Sequence, residues 1–101
     1  MKYNKLVRDK IPEITKEKGE TPVFHIASDQ EYEEMLKKKL REEVSEFIAD
    51  RNVEELADIV EVIDAFCALH KIEMDDLLRL KKEKAEKRGS FKRRIILDEI
   101  N

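Results

Sequence analysis

The chain has 101 residues, a net charge of -3, 45% charged and 41% hydrophobic residues, only two glycines and two prolines, and one cysteine. That length fits one domain over residues 1–101, and so little apolar material leaves no room for a thick private core, which favours oligomerisation. No run approaches the roughly 18 apolar residues that span a bilayer, nor does the N-terminus show a cleavable apolar leader, so a soluble cytoplasmic protein without a membrane partner is expected. A single Cys67 excludes an internal disulfide and any cysteine-based metal site.

Few turn-formers and abundant Glu, Lys, Leu, Ile and Ala predict an all-α chain. Residues 1–18 read as an irregular start followed by a short helix that opens at Pro12 and ends at Gly19. The stretch Thr21-Pro22-Val23-Phe24-His25-Ile26-Ala27 lacks helical spacing and predicts a connector or one short strand. Ser28 and Glu31 form a capping box that starts a long helix running to Asp50. Its apolar residues Tyr32, Leu36, Leu40, Val44, Phe47 and Ile48 recur at threes and fours and predict one buried stripe.

A second box, Asn52 with Glu55, starts a second long helix extending to about His70, and the short link at Asp50-Arg51-Asn52 forces an antiparallel hairpin. This second helix is apolar over a broad arc, from Leu56, Ile59, Val60, Ile63, Phe66 and Cys67 to Val62, Ala65 and Leu69, so it requires more than one neighbour. A third helix from about Met74 or Asp75 to Arg88 stops at Gly89, and Phe91 with Ile95-Ile96-Leu97 is expected to pack back on the domain. The charges divide along the chain: Asp29–Asp64 holds 13 acids against 5 bases, whereas Arg79–Arg94 holds 9 bases against 2 acids. An acidic middle and a basic tail suit holding cations and holding phosphates; the acids oppose binding a long nucleic acid.

The positions Leu36, Leu40, Glu43 and Phe47 step by four, three and four, which sets Glu43 in or beside the apolar seam. A carboxylate there needs a compensating cation. Glu46 follows three residues later, and Glu55 and Asp58 repeat the spacing on the second helix, in line with Val62, Ala65 and Leu69. Closing the hairpin brings the four acids together as hard oxygen ligands suited to Mg²⁺ or Mn²⁺, while Glu61 and Asp64 rank behind them.

Glu42-Glu43-Val44-Ser45-Glu46 followed by Glu55-Leu56-Ala57-Asp58 resembles the EExxE…ExxD signature of the all-α nucleotide pyrophosphohydrolases, the superfamily of MazG, dimeric dUTPases and phosphoribosyl-ATP pyrophosphohydrolase. The opening Tyr3-Asn4-Lys5-Leu6-Val7-Arg8-Asp9-Lys10-Ile11-Pro12 and the late Lys87-Arg88-Gly89-Ser90-Phe91 resemble its small phosphoribosyl-ATP-pyrophosphohydrolase-like subgroup, so the likeness covers almost the whole chain. The resemblance implies a MazG-like four-helix-type core, made from the hairpin and third helix and completed by a homodimer or tetramer. It implies Glu43, Glu46, Glu55 and Asp58 as Mg²⁺ ligands, with Glu42 a weaker candidate; one acid could instead serve as general base, and Glu43 and Glu46 are the candidates for the catalytic role. Its reaction is water attack on a nucleoside triphosphate or related nucleotide, releasing a monophosphate and pyrophosphate. Arg8, Lys84, Lys87 and Arg88 are the candidates for binding the phosphates. The competing expectation is a non-catalytic helical module that binds nucleotide or protein.

Overall fold

Each long helix begins where a polar side chain takes over an orphaned backbone amide. Ser28 Oγ accepts from the amide of Glu31 at 3.2 Å and Asn52 Oδ1 from the amide of Glu54 at 3.0 Å, satisfying donors that have no partner inside the helix. A computed structural model describes residues 4–101; Tyr3 of the opening motif, with Met1 and Lys2, lies outside the described residues. In chain order the helices are α1 (Ile11–Glu17), α2 (Asp29–Asp50), α3 (Val53–Leu69) and α4 (Met74–Arg88), and no strand occurs among the described residues. The fold is all-α, and Thr21–Ala27 is a connector. Pro12 sits in the first turn of α1, where its missing amide costs nothing, and Gly19 follows the helix at φ 84°.

Helices α2 and α3 form the expected antiparallel hairpin and are the one pair that packs extensively. The turn takes only Arg51 and Asn52: Arg51 adopts a left-handed conformation at φ 52° and its amide donates to the Phe47 carbonyl at 2.7 Å. At the opposite end of the hairpin His70 Nε2 lies 2.7 Å from Glu33 Oε1, and the His70 ring rests against Phe66 with centroids 4.4 Å apart. That clasp ties the end of α3 to the start of α2.

The seam between the two helices follows the four-three-four line. Leu36 is buried and Leu40 and Phe47 are half-buried on α2; Val62 and Cys67 are buried on α3, with Ile59, Ile63, Phe66 and Leu69 half-buried around them. The broader stripe predicted for α2 is corrected here, because Val44 and Ile48 remain exposed, Ile48 at 70%. One neighbouring helix covers only a narrow line of a helix surface, and these two lie about 100° off that line. Leu56 and Val60 of α3 are exposed for the same reason.

The tail also departs from expectation. Phe91, Ile95, Ile96 and Leu97 do not pack back on the domain; they are 68–97% exposed, and α4 from Leu78 onward has no half-buried residue. Within a single chain α4 projects from the hairpin and meets no second apolar face. The dimensions reflect this: the molecule measures 62 × 32 × 23 Å with a radius of gyration of 18.1 Å, against roughly 13 Å for a globular chain of this length. Its accessible surface is 9729 Å², whereas a folded monomer of its mass exposes about 6,000 Å².

Candidate metal centre

The turn end of the hairpin carries the acids. Glu43, Glu55 and Asp58 each offer a carboxylate oxygen within 4.8 Å of the other two, an arrangement that could hold a metal ion. Glu43 comes from the seam line of α2 and is only 5% exposed, while Glu55 and Asp58 project from the first two turns of α3 and are half-buried. The two-residue turn fixes this meeting, since it leaves the last turns of α2 beside the first turns of α3.

The capping residue decides which way Glu55 faces. Asn52 caps the amide of Glu54 rather than that of Glu55, and the reciprocal half of the predicted capping box is not formed. The Glu55 carboxyl instead faces the acids of α2. Partial burial, and then the nearby Glu46 and Glu43 carboxyl groups, push Glu55 up to about 7, so that near neutrality it retains a proton a solvated carboxyl would lose. Glu46 thus acts on Glu55 from an exposed position on α2, but its carboxylate is not one of the three that converge.

Two basic residues balance part of the charge. Lys39 Nζ approaches Glu43 Oε1 at 3.2 Å from one turn earlier on α2, and Arg8 Nη2 donates to Asp58 Oδ1 at 2.6 Å from the N-terminal segment. The Asp58 hydrogen bond is the main reason the Arg8 guanidinium is held even more firmly protonated, with Glu61 and Glu43 adding to it. Lys5 reaches Glu42 at 4.0 Å. One oxygen remains unanswered: Glu43 Oε2 is buried without a hydrogen-bond partner among the described residues. A buried carboxylate oxygen in that position is costly unless something positive reaches it.

A hard divalent cation fits this donor set. The ligands are all carboxylate oxygens, which suit Mg²⁺ and Mn²⁺, and the orphaned Glu43 Oε2 is the kind of atom such an ion satisfies. Of the four acids chosen from sequence, Glu43, Glu55 and Asp58 converge, while Glu46 lies beside them near the end of α2, outside that group. The phosphate candidates divide. Arg8 is at the acids; Lys84, Lys87 and Arg88 lie on the exposed end of α4, and no ion pair joins them to an acid among the described residues. Helix α4 sets out from the far end of α3, roughly 17 Å along the helix axis from Asp58 at 1.5 Å per residue.

Sequence reasoning missed the contact between Arg8 and Asp58, which are 50 positions apart, and the ion pair Lys39–Glu43. The second had a signal in its i, i+4 spacing on one helix. The first had none, since no periodicity links an irregular segment to a distant helix. His25 and His70 pair with Glu31 and Glu33, and Cys67, which the sequence sets on the apolar arc of the second helix, is buried in the seam.

No family model and no solved structure matches the chain. A curated protein of Mycolicibacterium smegmatis, described as an uncharacterized protein, is 52% identical over 44 residues, which is 44% of this chain and 45% of that protein. The matched segment thus spans less than half the length of this relative. No helix among the described residues is long and apolar enough to cross a membrane.

Proposed function

We propose that this chain is a Mg²⁺-dependent hydrolase that splits a nucleoside triphosphate or related nucleotide pyrophosphate into a monophosphate and pyrophosphate. The observation that carries the reading is the buried, unpartnered Glu43 Oε2 within a group of converging carboxylates. Its support from sequence is the likeness to the EExxE…ExxD signature, which falls on the same residues. Glu43, Glu46, Glu55 and Asp58 would hold the ion. Bound there, Mg²⁺ supplies neutralisation of the phosphate charge and acidifies its water. Glu46, the member open to solvent, would take the proton from the attacking water, and Glu43, locked in the seam, would fix the geometry of the set. Arg8 would receive phosphate oxygens on the solvent side, with Lys84, Lys87 and Arg88 as the further cationic candidates.

The experiment that tests this is pyrophosphate release from a broad panel of nucleotides with Mg²⁺ and with Mn²⁺. Turnover of at least one member, abolished by a chelator, is expected; no turnover across the panel with either ion refutes the activity. One observation favours a second reading, a helical module that binds nucleotide or protein without turnover. Arg8 and Lys39 already neutralise part of the acidic group from within the chain. Calorimetry showing no Mg²⁺ uptake, even with nucleotide present, would select it.

The unit that acts would be a homodimer or a tetramer. The exposed Ile48, Leu56 and Val60 on the hairpin and the exposed Phe91, Ile95, Ile96 and Leu97 on the tail are apolar surfaces without partners in one chain. Their surroundings are opposite in charge, acidic on the hairpin and basic on the tail, which suits packing between copies. The excess of about 3,700 Å² over the surface of a compact monomer exceeds the roughly 1,000–2,500 Å² per chain that an obligate interface commonly buries, which leaves ample area for such an assembly. A monomer by light scattering at micromolar concentration would refute the assembly.

A further inference from the structure

We propose that Arg8 is the resident counter-ion of the acidic group and that it exchanges Asp58 for the phosphates of the ligand when a divalent cation enters. The inference rests on the metal-dependent reading above and adds to it an order of events and a moving part. Its grounds are geometric. Arg8 Nη2 sits 2.6 Å from Asp58 Oδ1, one of the three carboxylate groups that converge within 4.8 Å, so guanidinium and metal ion compete for the same acid. The acids are marked as a ligand site by an independent feature, the 95% buried Glu43 whose Oε2 faces no donor.

Arg8 answers Asp58 but leaves Glu43 Oε2 unanswered, so the internal cation is an incomplete substitute. The guanidinium paired with Asp58 leaves that buried oxygen unpaired, whereas a divalent ion held by Glu43, Glu55 and Asp58 would draw on both carboxylates. The pair that must break is weak enough to break. The side chains of Arg8 and Asp58 are 58% and 37% exposed, and exposed pairs of this kind are worth about 0.2–1 kcal/mol, equivalent to roughly a 1.4- to fivefold effect on an equilibrium. The same exposure leaves the freed guanidinium beside the ion, on the solvent side from which a polyphosphate arrives, where its fork can bind phosphate oxygens bidentately.

The segment bearing Arg8 is built to let go. Residues 4–10 form no helix or strand; two ion pairs join them to the hairpin, Arg8–Asp58 and the 4.0 Å contact Lys5–Glu42, and Leu6 alone among them is half-buried. Neither ion pair is buried. Asn4 stands at φ 49° at one end, and at the other the Arg8 carbonyl accepts from the Ile11 amide at 3.0 Å, which ties the segment to α1 rather than to the acids. Losing the Asp58 contact therefore frees Arg8 without unravelling α1. A divalent charge installed among Glu43, Glu55 and Asp58 would also repel the guanidinium, and an arriving phosphate would give it a new partner.

The exchange is tested with Mn²⁺ as the probe, its free aquo ion being counted by electron paramagnetic resonance, on wild type, Arg8→Gln, Arg8→Lys and the control Lys16→Gln. Without nucleotide, Arg8→Gln should bind Mn²⁺ about 1.4- to fivefold tighter than wild type because the competitor is gone, while Lys16→Gln matches wild type. With Mn²⁺ saturating, inorganic pyrophosphate should bind Arg8→Gln on the order of tenfold more weakly, with Arg8→Lys between the two. Hydrogen exchange of residues 4–10 in the wild type should rise with Mn²⁺ alone and fall when pyrophosphate follows. Unchanged or weaker Mn²⁺ binding in Arg8→Gln, an equal gain in Lys16→Gln, or pyrophosphate affinity indifferent to residue 8 would each overturn the exchange. Those outcomes leave the metal site standing. Absence of Mn²⁺ binding in wild type and Arg8→Gln alike would overturn the site and the exchange together.

Discussion

Replacing Glu43 by Met should make the metal-free protein more stable and remove its response to Mg²⁺. The substitution keeps an unbranched side chain of similar length in the seam beside Leu36, Leu40 and Phe47 but deletes the buried carboxylate. What is relieved is the desolvation of Glu43 Oε2, an oxygen with no partner, which costs about 1–3 kcal/mol. What is lost is the Lys39–Glu43 contact at 3.2 Å. With Lys39 itself 30% exposed, that contact contributes no more than about 1 kcal/mol. The net expectation is a gain of about 1–2 kcal/mol, in the range found when buried charges give way to apolar residues. For a domain of this size each kcal/mol moves Tm by about 4–8 °C. Thermal unfolding in chelator, at one fixed protein concentration because assembly contributes, should therefore show Glu43→Met melting above wild type. Adding Mg²⁺ should raise wild type and leave the variant unmoved. If Glu43→Met melts below wild type in chelator, the carboxylate is already satisfied without a cation and the reasoning from its orphaned oxygen fails.

Ala at Glu46 or Asp58 should lower pyrophosphate release more than ~100-fold, beyond the loss typical of groups that only orient a ligand, with helicity by circular dichroism unchanged. Retained turnover would remove that residue from the ligand set. Glu55 gives the pH dependence its sign: its folded value of about 7 lies above the unfolded 4.5, so between these values the folded chain holds a proton that the unfolded chain has lost. Stability of the metal-free protein should fall as pH rises from 4.5 through 7, and Glu55→Gln should flatten that slope; urea unfolding at pH 5, 6, 7 and 8 measures it. Arg51→Gly should stabilise the hairpin by about 0.5–1 kcal/mol, since Arg51 holds φ 52° where only glycine avoids steric cost, and a lower urea midpoint would contradict this.

The helices were legible because their signals are local. Ser28, Asn52, Pro12 and Gly89 mark starts and stops within a few positions of those observed, and each acts on its own backbone neighbours. Glu43 was legible as a buried acid because the four-three-four spacing of Leu36, Leu40 and Phe47 is a property of one helix. The fate of Val44 and Ile48 was not, since their exposure depends on how many neighbours α2 acquires, a number absent from the periodicity of α2. The tail misled for a related reason: Phe91 and Ile95-Ile96-Leu97 are apolar enough to be covered, but composition does not say whether the cover lies in the same chain. Glu55 shows competition between two local rules. Its position three after Asn52 suits a capping box, yet Asn52 takes the Glu54 amide and Glu55 turns to the acids.

The turn at Arg51 and Asn52 has a further consequence for how the acidic group comes into being. Its members and the neighbouring Glu46 lie within sixteen consecutive residues, Glu43 to Asp58, and the chain between them closes through only two non-helical positions. Bringing such near neighbours together costs little loop entropy, and contacts of short sequence separation form early in folding. The acidic group is thus a local structure, expected to form with the hairpin instead of waiting for the rest of the chain to assemble. A cation able to bind it would act on the folding chain as well as on the folded one, drawing the two helices together while α4 and the tail are still unplaced.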